Sequence, residues 1–345
     1  MRPTTEYVAR ATARIVEVLE AEHAVVSPEL ESRIAEAEYR DSPNNIDPHH
    51  ITTALTNLTS AGLVTSDREQ TRGGRVVTTI LLAGVARRAT KVALATRRKR
   101  LLHGRYQGWS QGTQRHPHGT VGPAGEAAVR QAILDSNALQ PAALGAGPVT
   151  ELLGTRLPGE LDSAGFLVPL AYGVPSPPIT LLFEVKNVRS WIYPSAGELF
   201  QVLHKGVVLQ QAHPDLPILP LLVCRREHKT TYYMAKQLGF AVIAMDTQFA
   251  GPVEEHKLDE IRNELHFTDL RLGHGPSLRV RDRLRAPGFV AAIPTMAEHW
   301  AKTVDNTQMA DLITRARRES SGAKRRDLVD ELRVAAKDAG LLGGW

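Results

Sequence analysis

The hydrophobic pattern of the first sixty residues predicts three helices. Apolar side chains recur with helical spacing in Thr5–Glu22, at Val8, Ala11, Ile15, Val18 and Leu19. Ser27-Pro28 has the character of an N-cap followed by proline at the first helical position, and the second helix is predicted to end near Tyr39. Asp47-Pro48 opens a third helix, with Ile51, Leu55 and Leu58 on one face, and Gly62 closes it.

A β-hairpin is predicted directly after the third helix. Leu63-Val64 and Arg75–Leu82 have strand character, and the polar loop between them contains Gly73-Gly74. Three helices followed by a hairpin resemble a winged helix-turn-helix domain. That resemblance implies a DNA-binding role, but winged helices also serve as protein-interaction or dimerisation modules, and both roles stay open.

The middle of the chain alternates between strand and helix patterns. Ile179–Phe183, Ile218–Cys224 and Ala241–Met245 are apolar runs typical of buried strands, and Thr230–Leu238 is predicted to be a helix. Gly159–Val168 also has strand character. These patterns predict an α/β fold with a central sheet.

Charged residues stand at the end of one predicted strand and within another. Glu184-Val185-Lys186 closes the first apolar run, and side-chain alternation puts Glu184 and Lys186 on the same face. Asp162 lies in the other strand. If the two strands are neighbours, two carboxylates and an ammonium group converge at one sheet edge, an arrangement suited to holding Mg²⁺ beside a phosphodiester.

The ordered charges resemble those of the PD-(D/E)xK superfamily of restriction-endonuclease-like nucleases, over roughly residues 122–246. The resemblance implies a mixed-sheet core and Mg²⁺-dependent phosphodiester hydrolysis, with Mn²⁺ expected to substitute. The implied catalytic residues are Asp162, Glu184, Lys186, Glu126 on the preceding helix and Gln201 on the following helix. The implied metal ligands are Asp162, Glu184, Val185 and Glu126.

Two features depart from the family pattern. Leu161, and not proline, precedes Asp162. Glu160 lies on the same strand face as Asp162 and could share or replace a ligand role. The alternatives are an α/β domain with an incidental surface Glu-Lys pair, and a nuclease-like fold without activity.

Positive charge is concentrated between Glu69 and Glu126, where the chain contains no acidic residue although the whole protein carries a net charge of only +5. A segment of one charge sign is typical of binding to a polyanion. A solvated helix end is the alternative for Arg97–Arg100. Tyr106 and Trp109 are candidates for base stacking or for anchoring the segment. The eleven cations are Arg72, Arg75, Arg87, Arg88, Lys91, Arg97, Arg98, Lys99, Arg100, Arg105 and Arg115.

The third helix and the hairpin also contain candidate nucleic-acid contacts. The helix offers His50, Thr53, Thr56 and Asn57, side chains able to contact bases or phosphates. However, no lysine or arginine occurs between Asp41 and Asp67. The predicted DNA-binding residues are therefore His50, Thr53, Asn57, Arg72, Arg75, Arg97, Arg98, Lys99 and Arg100.

The remaining sequence sets limits on the type of protein. The single cysteine, Cys224, excludes an intrachain disulfide framework and favours a reducing compartment. No run of 18 apolar residues and no N-terminal signal pattern occurs, so we expect a cytoplasmic protein with no membrane segment. After Asp246 the pattern turns helical, at Val253–Leu265, Thr295–Val304 and Met309–Leu341. Breaks are predicted at Pro276, Pro287, Pro294 and Ser320–Ala323.

Together these patterns predict four regions in 345 residues. They are a winged helix domain at 1–90, a basic linker at 91–121, a nuclease domain at 122–250 and a helical accessory or dimerisation region at 251–345. The predicted function is a metal-dependent DNA nuclease of restriction, phage defence or DNA processing, expected to be a homodimer. The alternatives are a non-enzymatic DNA-binding regulator and a nuclease subunit that binds a protein partner through the winged helix or the C-terminal helices.

Overall fold

A computed structural model describes residues 4–36, 46–71, 74–86, 89–114, 116–142, 148–171 and 174–341 of this mixed α/β protein. The chain divides into two compact units. Unit 1 comprises Met1–Thr120 and Gly251–Leu272, and unit 2 comprises Val121–Ala250 and Gly273–Trp345. Several positions named from the sequence lie outside the described residues. They are the predicted end of the second helix at Tyr39, and Arg72, Gly73, Arg87, Arg88 and Arg115.

Unit 1 combines helices with a small antiparallel sheet. Its helices are α1 (Thr4–Glu22), α2 (Ser27–Glu31, continued by a π-helical turn at Ser32–Glu36), α3 (Pro48–Ser60), α4 (Thr90–Gln111) and α8 (Glu255–Glu264). Its strands are β1 (Val25–Val26), β2 (Val64–Gln70), β3 (Val76–Leu82) and β14 (Leu270–Leu272). The sheet has the order β1-β3-β2, and both pairings are antiparallel.

The hairpin predicted after the third helix is confirmed. Val64 pairs with Leu82 and Gln70 with Val76, so the first strand ends six residues later than the sequence indicated. Residues of β2 beyond Val64 are mostly exposed, because β2 is an edge strand of the sheet. An exposed edge strand needs no apolar alternation, which is why its length could not be read from hydrophobicity.

The segment predicted as a basic linker is the 22-residue helix α4. Buried side chains recur along it at Val92, Thr96, Lys99, Leu102 and Tyr106, which is a helical repeat in which one position is a charged residue. Tyr106 packs edge-to-face on Phe267, with ring centroids 5.0 Å apart. The aromatic ring therefore anchors the helix within unit 1, and the 91–121 boundary predicted from composition does not correspond to a connector.

Unit 2 is built on a five-stranded mixed sheet. Its helices are α5 (Val121–Ser136), α6 (Leu199–Ala212), α7 (Lys229–Leu238), α9 (Leu278–Arg285), α10 (Pro287–Asp305), α11 (Thr307–Arg318) and α12 (Gly322–Asp338). Its strands are β4 (Gln140–Pro141), β5 (Val149–Leu152), β6 (Thr155–Leu161), β7 (Ser163–Leu167), β8 (Leu170–Ala171), β9 (Val174–Pro175), β10 (Ile179–Lys186), β11 (Ile218–Cys224), β12 (Ala241–Ala244) and β13 (Gln248–Ala250). The central sheet has the order β12-β11-β10-β7-β4.

The centre of this sheet explains the continuous apolar runs in the sequence. Strands β10, β11 and β12 are parallel, whereas β7 pairs with β10 in the antiparallel direction. Alternate residues of β10 enter different cores: Phe183 packs in the core that includes α5, and Leu182 in the core that includes α6. A strand covered on both faces is expected to be almost continuously apolar, as the sequence is from Ile179 to Phe183, where Thr180 is the exception.

The C-terminal helices of unit 2 confirm two of the three breaks predicted at prolines. Pro276 precedes α9, and Pro287 stands between α9 and α10, where it starts the second helix because its fixed φ and missing N–H are tolerated there. The break predicted at Pro294 is wrong, because this residue lies inside α10. Trp300 is fully buried in the core against α6, as expected of a packing anchor. The predicted interruption at Ser320–Ala323 is confirmed by the separation of α11 and α12.

The predicted helical region 251–345 is not a single region in the structure. Residues 251–272 belong to unit 1, and only residues 273–345 join the sheet domain in unit 2. The sequence could not indicate this division, because both parts are equally helical in pattern. Within the part of the chain that the structure describes, no helix has the length and apolar composition needed to span a bilayer.

Candidate functional site

The end of strand β10 places an acid and a lysine on one face of the sheet. Glu184 is almost entirely buried, and its Oε1 accepts a hydrogen bond from Lys186 Nζ at 2.7 Å. The two side chains meet because residues two apart along a strand point the same way. The same-face prediction for Glu184 and Lys186 is confirmed.

Asp162 lies next to Glu184, at the bend between β6 and β7, so the single strand predicted over Gly159–Val168 is in fact two strands that meet at this residue. Phe183 pairs with Ser163 at the end of the β7–β10 ladder, so the next step of the register brings Asp162 beside Glu184. The backbone N–H of Val185 donates to Asp162 Oδ2 at 2.6 Å. Arg130, on α5, donates to the backbone carbonyl of Asp162 at 3.3 Å. The two carboxylates that the sequence placed in separate strands are thus neighbours at one sheet edge.

The environment of Asp162 disfavours its negative charge. Burial is the largest cause and the nearby charge of Glu184 the second, and together they raise the pKa of Asp162 to about 6. The hydrogen bond from Val185 and the charge of Lys186 act in the opposite direction, and the charge of Glu126 adds a small further increase. Two carboxylates forced together in a partly buried position are a setting that a cation would stabilise.

Glu126 approaches the site from helix α5. The preceding residue, Gly125, lets the helix come very close to the end of β10, because a Cβ at this position would lie 2.4 Å from the Cβ of Asn187. Glu126 is half-buried and close enough for its charge to affect the pKa of Asp162. However, the carboxylate oxygens of Glu126, Asp162 and Glu184 do not all lie within 4.8 Å of one another. The three side chains therefore do not form a compact cluster of carboxylates among the described residues.

Asn187 fixes the position of α5, and sequence reasoning missed it. Its buried side-chain amide donates to the carbonyls of Val121 at 2.6 Å and Phe249 at 2.7 Å, and its Oδ1 accepts from the N–H of Phe249 at 3.1 Å. These bonds join the start of α5 and strand β13 to the end of β10. The available signal was a polar residue directly after the Glu-x-Lys segment.

Helix α6 brings Gln201 and a second lysine to the same side as Glu184. Gln201 lies in the first turn of α6 and is half-buried, and Lys205 is four residues later, on the same helical face. Lys205 Nζ donates to Glu184 Oε2 at 2.5 Å and also to the backbone carbonyl of Glu160. The structure gives the side chain of Gln201 no hydrogen bond to a described residue, and the contact with the acid is made by Lys205 instead.

Lys205 is a second residue of this site that the sequence analysis did not single out. It occurs in a helix whose other buried positions are nearly all apolar, and lysine is rarely buried unless its charge is paired. A lone lysine on an apolar helix, one turn after a candidate glutamine, was the available signal. Glu160, which had been a candidate ligand, has an exposed side chain and contributes its backbone carbonyl to Lys205.

The donor atoms at this edge fit a hard divalent cation such as Mg²⁺. Asp162 and Glu184 offer carboxylate oxygens, and Val185 can contribute only its backbone carbonyl. In an extended strand the N–H and C=O of one residue point to the same side, so the Val185 carbonyl faces the Asp162 side. An all-oxygen donor set suits Mg²⁺ or Mn²⁺ better than a softer metal.

The basic helix of unit 1 is mostly neutralised by acids of the same unit. Lys99 is buried, and its Nζ lies 2.9 Å from Glu22 and 2.6 Å from Glu29. Arg98 pairs with two acids of α8, Glu260 at 3.2 Å and Glu264 at 2.8 Å. The prediction that Lys99 is a DNA-contacting cation is therefore wrong, because an ammonium group enclosed by protein carboxylates cannot reach a phosphate.

Two further basic residues have partners in the hairpin region. Arg100 pairs with Asp67 at 2.6 Å and with Glu69, both on β2. Arg75 donates to Gln111 Oε1 at 2.8 Å and to the carbonyl of Gly112. By contrast, Arg97 is exposed, and the structure gives it no ion pair with any described residue. Of the four residues Arg97–Arg100, Arg97 is the one whose charge is available at the surface.

The third helix presents only part of the predicted surface. His50 is buried and stacked on Tyr7, with ring centroids 5.2 Å apart, so its proposed exposure to DNA is wrong. Its position among Ile51, Ala54 and Leu58 places it on the apolar side of α3. Thr53 and Asn57 are exposed, as expected. Arg72 lies outside the described residues.

Comparison with family models, with curated proteins and with solved structures finds no match to this chain.

Proposed function

We propose that this protein is a Mg²⁺-dependent nuclease that hydrolyses phosphodiester bonds in DNA. The observation that carries the proposal is the pairing of Asp162 and Glu184 at one sheet edge, beside Lys186. Burial and the charge of Glu184 raise the pKa of Asp162 to about 6, so the negative charge of Asp162 is unfavourable at this position. Such an arrangement costs stability and is typical of a site that binds a cation.

Each residue has a distinct role in the proposed reaction. Asp162, Glu184 and the carbonyl of Val185 would hold the cation, and Glu126 would act on it through water. When bound, Mg²⁺ supplies a nucleophilic water with a lowered pKa and neutralises charge on the phosphate. Lys186, partly exposed and anchored on Glu184 Oε1, offers its ammonium group to the charge that develops on the phosphate.

Gln201 is placed to assist on the substrate side. It is half-buried on α6, on the same face as Lys205, and its side chain has no hydrogen-bond partner among the described residues. An amide with both donor and acceptor capacity can orient a phosphate oxygen or a water molecule. Gln201 therefore remains a proposed positioning group for the substrate.

The choice of DNA as substrate depends on unit 1. The order of helices and hairpin there resembles a winged helix-turn-helix domain, and its surface carries Thr53, Asn57 and Arg97. Exposed arginine contributes to phosphate binding, and threonine and asparagine can contact bases. Most other cations of α4 are paired with protein acids, so we expect moderate intrinsic affinity for DNA.

A cleavage assay tests this function directly. Purified protein is incubated with plasmid, linear duplex and single-stranded DNA, in Mg²⁺ or in EDTA, beside Asp162→Asn and Glu184→Gln. We expect cleavage only with Mg²⁺ and wild-type protein, and a loss on the order of 10³-fold in each variant. DNA binding without cleavage by the wild type in any divalent cation would instead favour a non-enzymatic DNA-binding protein.

A further inference from the structure

Glu184 is held by two lysines, one on each carboxylate oxygen. Lys186 Nζ lies 2.7 Å from Oε1, and Lys205 Nζ lies 2.5 Å from Oε2. The two lysines differ in exposure: the side chain of Lys186 is 18% exposed, and that of Lys205 is 7% exposed. The side chain of Glu184 itself is 4% exposed. The carboxylate of Glu184 thus has one partly exposed cation, Lys186, and one buried cation, Lys205.

Lys205 is fixed by a second contact. Its Nζ also donates to the backbone carbonyl of Glu160 on β6, so the ammonium group bridges β6 and β10 from helix α6. Its stem runs close to the backbone, because a Cβ at Gly159 would lie 3.5 Å from Lys205 Cε. Lys186, by contrast, is the more exposed of the two lysines. Lys205 is therefore the more enclosed partner of Glu184.

The charge of Lys205 has two consequences at this position. It compensates a buried carboxylate that stands next to Asp162, which stabilises the folded chain when no other cation is there. It also occupies an oxygen that a divalent cation would use and repels that cation. Both effects follow from one ammonium group, so removing the group should change stability and cation affinity in opposite directions.

We propose that Lys205 is a built-in counter-cation of Glu184, which positions this carboxylate and weakens the binding of divalent cations at the site. The proposal rests on the proposed function, since it assumes that Asp162 and Glu184 hold a divalent cation. It separates the two lysines by role: Lys205 sets the position and metal affinity of Glu184, and Lys186 faces the substrate.

The test replaces Lys205 by methionine, which keeps the length and apolar stem of the side chain but removes the charge. In EDTA, we expect Lys205→Met to lower the Tm by about 10 °C, the range for breaking a buried ion pair in a domain of this size. In a Mn²⁺ titration followed by calorimetry, we expect its Kd to be lower than that of the wild type by at least about tenfold. Lys302→Met, on an exposed position of α10, should change neither quantity.

A double variant controls for simple misfolding. In Glu184→Gln/Lys205→Met both charges are absent, so its Tm in EDTA should recover towards that of the wild type even if Lys205→Met alone fails to fold. If the double variant loses as much stability as Lys205→Met alone, or more, Lys205 is not coupled to Glu184 and the proposal is overturned. Weaker or unchanged Mn²⁺ binding by folded Lys205→Met would overturn it as well.

The outcomes separate this inference from the proposed function. If the wild type binds Mn²⁺, cleaves no nucleic acid, and Lys205→Met binds Mn²⁺ more tightly, the nuclease proposal fails and the role of Lys205 stands. If the wild type cleaves DNA but Lys205→Met binds Mn²⁺ no more tightly, the role of Lys205 fails and the nuclease stands. A wild type that binds no Mn²⁺ at all refutes both.

Discussion

Replacing Asp162 by asparagine should make the folded protein more stable at neutral pH while removing its activity. The substitution keeps the shape of the side chain and an oxygen that can accept from the Val185 N–H, but it removes the negative charge beside Glu184. A catalytic site that stores unfavourable charge is expected to lose function when that charge is relieved.

The magnitude follows from the pKa of Asp162. The pKa is raised from 3.8 to about 6, first by burial and then by the charge of Glu184. A difference of roughly two units corresponds to about 3 kcal/mol of unfolding free energy. An amide oxygen is a weaker acceptor than a carboxylate, so the measured gain for Asp162→Asn should be smaller, about 1–3 kcal/mol.

The direction of the pKa shift fixes how the stability of the wild type changes with pH. Between pH 3.8 and about 6 the folded state holds a proton on Asp162 that the unfolded state has released. The contribution of this group therefore makes the wild type less stable as pH rises through this window, and the full penalty is present above about pH 6. The stability difference between Asp162→Asn and wild type should be largest at pH 7.5 and should vanish near pH 4.

Urea unfolding between pH 4 and pH 8, in EDTA and in Mg²⁺, measures this difference. Asp215→Asn, an exposed substitution in the same unit, is the matched control for loss of one aspartate charge. At a Mg²⁺ concentration about 100 times Kd, the wild type should gain about 2.7 kcal/mol, and Asp162→Asn, which lacks one ligand charge, should gain much less.

Two results would refute this reasoning. If Asp162→Asn is less stable than the wild type at pH 7.5, the carboxylate is not destabilised in the folded state. If the difference between them does not change from pH 4 to pH 8, the titration of Asp162 does not contribute to stability. Either result removes the argument that Asp162 and Glu184 form a cation site.

Three further predictions concern other residues. Lys186→Ala should lower turnover at least about 10²-fold in the cleavage assay while leaving DNA affinity in Ca²⁺ unchanged, because its charge acts on the transition state. Arg97→Ala should reduce the slope of log affinity against log salt by about 0.9, measured by fluorescence anisotropy. Lys99→Met should leave that slope unchanged but lower the free energy of unfolding, measured in urea, by about 3–5 kcal/mol. Asn187→Ala should lower the free energy of unfolding by about 2–3 kcal/mol in the same assay, because it removes three buried hydrogen bonds that join α5 and β13 to the end of β10.

The sheet of unit 2 could be predicted because its strands are covered on both faces. Ile179–Phe183 and Ile218–Cys224 form continuous apolar runs, and β10 and β11 pair in parallel at the centre of the sheet. Local alternation was also sufficient to place Glu184 and Lys186 on one face. The exposed half of β2 could not be predicted in this way, because no core imposes an apolar pattern on it.

Charges were harder to interpret than apolar residues. The segment between Glu69 and Glu126 has no acid in sequence, yet its helix α4 meets Glu22, Glu29 and residues of α8 in space. These partners are 70 to 166 residues distant along the chain, so no local count could reveal them. The uniform basic segment therefore has a largely structural role, in addition to any contact with nucleic acid.

The net charge of the candidate site also depends on residues that are far apart in the sequence. The three carboxylates Glu126, Asp162 and Glu184 and the two ammonium groups Lys186 and Lys205, counted without the Arg130 guanidinium that bonds the backbone of Asp162, sum to one net negative charge when all are ionised. One bound divalent cation would change this to one net positive charge, which is complementary to a single phosphodiester. Without Lys205 the cation would leave the site neutral. A lysine that weakens cation binding can thus strengthen the attraction for the substrate, which gives a physical reason to keep a buried charge in an otherwise apolar helix.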